Sequence, residues 1–271
     1  MSPVPTMPNP GLGTFRLEGD TVKQMIHTAL KLGYRHIDTA QFYGNEADIG
    51  AAIAESDVPR EEIFVTTKVW HDRLRPDDLK ASVEESLARL RMMQVDLLLI
   101  HWPSPDDAVP MEDYLLALSD VQKDGKTRHI GVSNFTRAQI DQALDILGPD
   151  TLLTNQIEVH PFLQNRNLVA HCQSHDIAVS AFMPLAVGKV MEDPTLQEIA
   201  TAHDATPAQI AIAWLNQLGI VTFPSSTREA NLKRNIEALD ITLSDREMAE
   251  IATLDRGERI ANPSIAPDWD Q

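Results

Sequence analysis

Short apolar runs alternate with longer amphipathic ones from one end of the 271-residue chain to the other. The short runs are rich in β-branched and aliphatic residues and have strand length. They predict strands near 11–15, 35–39, 63–69, 95–101, 128–133, 153–158, 177–183 and 219–225. Between and after them, a period near 3.6 predicts helices near 20–32, 46–55, 76–91, 111–124, 136–146, 166–174, 206–217, 228–237 and 244–254. No element is predicted between 184 and 205.

Cap chemistry supports several helices. Pro76, Asp77 and Asp78 open a stretch in which Leu79, Val83, Leu87 and Leu90 share one face. Thr206 and Pro207 suit the N-cap and first helical position of the next helix, with Gly219 just past its end. Ser244 followed by Glu247 is a capping-box signature.

Eight strands alternating with helices at this length predict an α/β fold, a closed (β/α)8 TIM barrel forming a single domain over residues 1–271. The alternative is an open doubly wound sheet. A dinucleotide-binding sheet of that kind carries G-x-G-x-x-G after its first strand, and here the first strand offers only GLGTF.

The bulk numbers narrow the function. Forty acidic against 23 basic residues give a net charge of −17, which argues against a nucleic-acid surface. Lysine is scarce, 8 against 15 arginines. That suits either a merely acidic soluble protein or one adapted to a salty cytosol. No apolar run reaches the length of a membrane span. The first residues, MSPVPTMPNPG, lack a basic and then apolar leader. With the single Cys172 this leads us to expect a cytoplasmic protein without a disulfide framework.

In a barrel of this type the chemistry gathers at the C-terminal ends of the strands. Asp38 ends the second strand, with Tyr43 in the loop after it; Lys68 is near the end of the third strand and His101 ends the fourth. An ammonium beside a phenol favours its ionised form and so makes it a better proton donor. A carboxylate would hold that ammonium, and an imidazole could hydrogen-bond a carbonyl oxygen. Each residue alone has an ordinary structural explanation; four consecutive strand units converging on one mouth is the informative feature. The same set also suits a Schiff-base aldolase using Lys68. His160 reads as structural and Cys172 as packing. No ligand set at metal spacing accompanies His101, so no metal is expected.

The stretches IDTAQFYGNE, TTKVW, LLLIHWP, IGVSNF and TNQIEVHP resemble the aldo-keto reductase family, in the right order and over nearly the whole chain. The resemblance implies a monomeric barrel reducing small aldehydes, 2-oxoaldehydes or keto-sugars of the 2,5-diketo-D-gluconate type with a nicotinamide cofactor. It makes Tyr43 the proton donor, tuned by Lys68 and Asp38, and His101 the group that orients the carbonyl. It places Ser133, Asn134 and Gln156 at the nicotinamide carboxamide, with Thr14 and Asp38 as further cofactor contacts and Phe182 stacked on the ring where the family usually has Tyr. Pro184 and Leu185 follow in the cofactor groove, and Met183 replaces a small polar residue. Phe15, Trp70 and Trp102 join Tyr43 and His101 as substrate-pocket walls. Some relatives bind the cofactor as non-catalytic sensors, which is a further alternative.

At the adenosine end the chain departs from the family. Ser225 and Asn231 stand where NADPH-using members carry cations. Ser225, Ser226, Thr227 and Arg228 remain as donors, and Asn235 remains for the adenine. The expected cofactor is NADPH, with Arg228 supplying the main charge and with a narrowed margin that leaves NADH usable.

Overall fold

The computed structural model describes residues 7–270, so the first six residues, read above for a leader, lie outside the described residues. Eight parallel strands lie side by side in chain order. They are β1 (Leu12–Gly13), β2 (His36–Asp38), β3 (Phe64–Val69), β4 (Val95–Ile100), β5 (Thr127–Ser133), β6 (Leu152–Glu158), β7 (Ala178–Phe182) and β8 (Val221–Thr222). The ends of the sheet meet. Gly11 N donates to Thr222 O at 2.9 Å and Gly13 N to Pro224 O at 3.3 Å, which joins β1 to β8 and closes the barrel. Glycine is required at this seam: a Cβ on Gly13 would lie 2.6 Å from Phe223 O.

The helices surround the sheet as predicted: α1 (Gly19–Lys31), α2 (Glu46–Ala54), α3 (Pro76–Leu90), α4 (Met111–Lys123), α5 (Arg137–Leu147), α6 (Arg166–Ser174), α7 (Pro194–Ala202), α8 (Pro207–Gln217), α9 (Glu229–Glu237) and α10 (Asp245–Ala252). Both Thr206 and Ser244 form complete capping boxes. The element missing from the sequence reading is α7. Its signal was present, because Asp193 caps Leu196 N at 3.0 Å and Pro194 occupies the first turn. Strands β1 and β8 are only two residues long, shorter than predicted, since the chain turns into the functional loops on either side of the seam.

Side-chain alternation along β4 separates two apolar layers. Leu98 and Ile100 join the large core between sheet and helices. Leu97 and Leu99 join Met7 and Leu153 in a small separate cluster. Phe64, Ala178 and Val221, each the first residue of its strand, pack against that cluster, which therefore fills the N-terminal end of the barrel. The inner positions further along are polar. His36 Nε2 lies 2.8 Å from Thr66 Oγ1, and beyond that layer come Asp38, Lys68 and Gln156. A dry floor beneath a polar layer confines the titratable groups to the C-terminal mouth.

Candidate active site

The polar layer is organised around Lys68. Its ammonium is fully buried and donates to Asp38 Oδ1 at 2.7 Å, Thr39 O at 2.8 Å and Tyr43 OH at 3.4 Å. Burial opposes its charge, but the Asp38 carboxylate more than compensates, and its pKa is held above the ordinary lysine value. The other Asp38 oxygen, Oδ2, accepts from Gln156 Nε2 at 2.8 Å. Each Asp38 oxygen thus has a donor, and the carboxylate fixes Lys68 beside the phenol.

Sequence reasoning expected Lys68 to push the Tyr43 phenol toward ionisation. The net direction is the reverse. Burial raises the Tyr43 pKa more than Lys68 lowers it, and Asp38 adds to the rise. Tyr43 is therefore a protonated phenol throughout the neutral range, with a cation waiting 3.4 Å away.

His101 is buried, and its ring centroid lies 5.7 Å from that of Tyr43 and 5.0 Å from that of Trp70. Burial lowers its pKa well below the ordinary histidine value, with Lys68 and His71 adding to the effect. The imidazole is neutral and can donate one N–H without carrying charge.

The loop that carries Tyr43 is fixed by residues the sequence reading did not single out. Asn45 Nδ2 donates to Thr14 O and Leu17 O at 3.0 and 2.9 Å, and its Oδ1 accepts from Thr39 Oγ1 at 2.8 Å. Gln41 Oε1 accepts from Trp70 N at 3.1 Å, and Gly44 turns the chain at φ 68°. These contacts tie the loops after β1, β2 and β3 together.

Above this set lies a cavity of about 910 Å³. Phe15, Tyr43, Trp70, His101 and Trp102, expected as substrate-pocket walls, all line it. Phe42 stacks on Trp70 with ring centroids 4.0 Å apart, and His71 also reaches the wall; neither was anticipated. Thr14, Asn134, Gln156, Phe182, Pro184 and Leu185, expected as cofactor contacts, line the same cavity. Met183 lines it too, from a left-handed backbone conformation at φ 50°. Two expected contacts are turned away. Ser133 is buried and donates to Gln156 O at 2.8 Å. Ser226 Oγ accepts from Arg228 N at 3.1 Å and does not line the cavity. Each hydroxyl satisfies nearby backbone and positions its neighbours instead.

Ser225, Arg228, Asn231 and Asn235 line the far end. Arg234, absent from the sequence reading, lines it as well, three residues along α9 from Asn231 and so on the same helical face. Neither arginine is ion-paired among the described residues.

The remaining wall is the C-terminal segment, through Ala261, Pro263, Ser264 and Ile265. Its anchor is Glu158 at the end of β6. The buried carboxylate accepts from Ile260 N at 2.8 Å, Ala261 N at 2.7 Å and His160 Nε2 at 2.9 Å. Burial works against this charge, but the three donors win and the pKa of Glu158 is lowered. His160 is structural, as read. Further on, Trp269 packs edge-on against Trp102 with centroids 6.1 Å apart, under the Arg259 guanidinium. Replacing Glu158 by Gln keeps the shape but turns one acceptor into a donor facing a backbone N–H. We expect kcat/KM for carbonyl substrates to fall about tenfold, in line with ~1–3 kcal/mol for an unsatisfied buried group. KM for the cofactor should change little. Unaltered carbonyl kinetics would show that this wall needs no anchor.

Two buried polar atoms in this region have no protein partner, His101 Nδ1 and Asn134 Oδ1. Buried acceptors and donors are normally satisfied. The Asn134 oxygen suits the amide N–H of a carboxamide, and Phe182 and Gln156 line the same cavity. The residues present therefore fit a nicotinamide.

Comparison with known proteins agrees. The aldo/keto reductase family pattern matches residues 11–256. The chain belongs to the aldo-keto reductase family. This reductase is 48% identical to the methylglyoxal reductase DkgB of Escherichia coli O157:H7, over 96% of this chain and 98% of that protein. It is 39% identical to a glyoxal reductase of Bacillus subtilis, over 95% of this chain and 92% of that one. A crystal structure provisionally assigned as a 2,5-diketo-D-gluconic acid reductase B superposes with a TM-score of 0.94 at 44% identity, covering 98% and 94% of the two chains. This aldo-keto reductase is an oxidoreductase acting on carbonyl groups. None of its described helices is long and apolar enough to cross a membrane.

Cys172 is buried, and burial pushes its thiol pKa up to about 11, so it is inert packing.

Proposed function

We propose that the protein reduces small aldehydes, 2-oxoaldehydes and keto-sugars to alcohols, with NADPH preferred over NADH. The carrying observation is the buried Asp38–Lys68–Tyr43 chain, with Lys68 Nζ 2.7 Å from Asp38 and 3.4 Å from the phenol at the floor of an aromatic cavity. When bound, the cofactor supplies a hydride to the carbonyl carbon. Asn134, Gln156 and Phe182 would hold and orient its nicotinamide. Tyr43 gives its proton to the carbonyl oxygen as negative charge develops there. Lys68, held by Asp38, stabilises the phenolate left behind. Neutral His101 donates a hydrogen bond to the same oxygen and fixes the carbonyl between itself and Tyr43.

The aldolase alternative fares poorly against this geometry. A Schiff-base lysine must reach the substrate as a free amine. Lys68 is wholly buried behind Tyr43, makes three hydrogen bonds and has a raised pKa.

The test is a steady-state panel of methylglyoxal, 2,5-diketo-D-gluconate and benzaldehyde, each with NADPH and with NADH. Consumption of cofactor with at least one dicarbonyl, faster with NADPH, is expected. Absence of turnover on the whole panel, or borohydride trapping of substrate on Lys68, would overturn the reading.

A further inference from the structure

Far from the barrel mouth, three donors meet between the packed helices α5 and α6. His171 lies in the last turn of α6 and His175 is its C-cap residue, four positions on. That spacing puts both imidazoles on one face. Asp141 projects from α5. His171 Nε2 lies 2.8 Å from Asp141 Oδ1, and His175 Nε2 lies 3.8 Å from the same oxygen. The imidazole centroids are 4.9 Å apart, and one ligand atom from each residue lies within 4.8 Å of the other two.

An ordinary His–Asp hydrogen bond explains the first contact. It does not explain a second imidazole aimed at the same oxygen. Donors around a tetrahedral zinc ion, with bonds of about 2.0–2.1 Å, lie roughly 3.3 Å from one another. The two Nε2–Oδ1 distances bracket that value. The side chains are 22%, 41% and 55% exposed for His171, His175 and Asp141, so small rotations can close the set and water can fill a fourth position. No Lys or Arg among the described residues pairs with Asp141 and competes for it.

We propose that Asp141, His171 and His175 form a surface site for a borderline divalent transition-metal ion, with zinc suited to the two-nitrogen, one-oxygen set. Hard cations such as Mg2+ and Ca2+ demand six or more oxygens and find too few here. None of the three residues lines the cavity, so the ion acts as a clasp between α5 and α6 and takes no part in carbonyl reduction. Binding to the folded state alone raises Tm with metal concentration.

Titration calorimetry with Zn2+ is run on the full chain in excess Mg2+, which masks loose carboxylate sites on this acidic surface. One saturable zinc equivalent and a zinc-dependent rise in Tm are expected for the unaltered protein. His175→Ala and, separately, Asp141→Asn should each weaken binding about tenfold or more, since even outer-sphere partners of a metal are worth that much. Both should also shrink the Tm rise at a given zinc concentration. Reductase activity without added metal should match that of the unaltered protein in both variants, which shows that they are folded. The proposal is overturned if no saturable zinc binding survives excess Mg2+. It is equally overturned if both variants bind zinc as well as the parent, which would place the metal on other histidines such as His71 and His101.

Discussion

Replacement of Tyr43 by Phe is expected to lower kcat by about 100-fold or more, because general acid catalysis is worth ~10²–10⁴. Affinity for the cofactor, measured by protein fluorescence quenching, should barely change, since the ring and its contact with Phe15 are kept. The prediction is sharper for the direction of the Tyr43 pKa. A phenol raised by burial is a weaker acid than tyrosine in water, so its value as a donor depends on what happens as the proton leaves. At that moment Lys68, which is buried and held charged by Asp38, meets a new anion 3.4 Å away. An interaction that grows only in the transition state raises kcat rather than binding. Lys68→Met should therefore also lower kcat strongly, with little effect on KM. A Tyr43→Phe enzyme that retained most of its activity would remove Tyr43 as the donor and leave His101 as the group to test.

The legibility of this site follows the strand ends. Asp38, Lys68, His101 and Gln156 could be read from the sequence because a strand end is a fixed place, and polar residues there break an apolar pattern. Ser133 shows the limit. Its position at the end of β5 was read correctly, but its orientation depends on the Gln156 carbonyl of the neighbouring strand. Trp102 was read as a wall, while its partner Trp269 arrives from the far C-terminus. Glu158 illustrates the same gap. Its place at the end of β6 was evident, but its acceptors' partners lie 102 and 103 residues further along, and no local pattern announces them. The segment Ala186–Glu192, which brings Val187 and Met191 to the cavity, is irregular 3-10 structure with left-handed residues, so it has no period to detect. Gln41 and Asn45 read as loop residues until their side-chain bonds to three other segments are known.

Arg234 changes what is expected at the adenosine end. The sequence comparison alone had two cations missing and one, Arg228, in compensation. The fold brings a second guanidinium to the same wall, one turn along α9 from Asn231, where the buried Asn235 also lies. A 2′-phosphate is a dianion with three acceptor oxygens, and charge-assisted bonds from guanidinium groups suit it better than the neutral hydroxyl of Ser225. We therefore expect Arg228→Ala and Arg234→Ala each to raise KM for NADPH by roughly tenfold, the lower end of ~1.5–3 kcal/mol for a hydrogen bond to a charged group. The lower end applies because both residues are exposed to solvent. KM for NADH, which lacks that phosphate, should be nearly unchanged in both variants. The discrimination should also narrow as salt is added, since exposed charges are screened within about 10 Å at 0.1 M. Carbonyl kcat at saturating NADPH should stay near that of the parent, because neither arginine reaches Tyr43. A variant that weakens NADPH and NADH equally would show that its arginine holds a part common to both cofactors, such as the pyrophosphate. If neither variant moves either KM, the backbone N–H groups at the start of α9 and the Ser225 hydroxyl carry the phosphate, and the preference for NADPH rests on them.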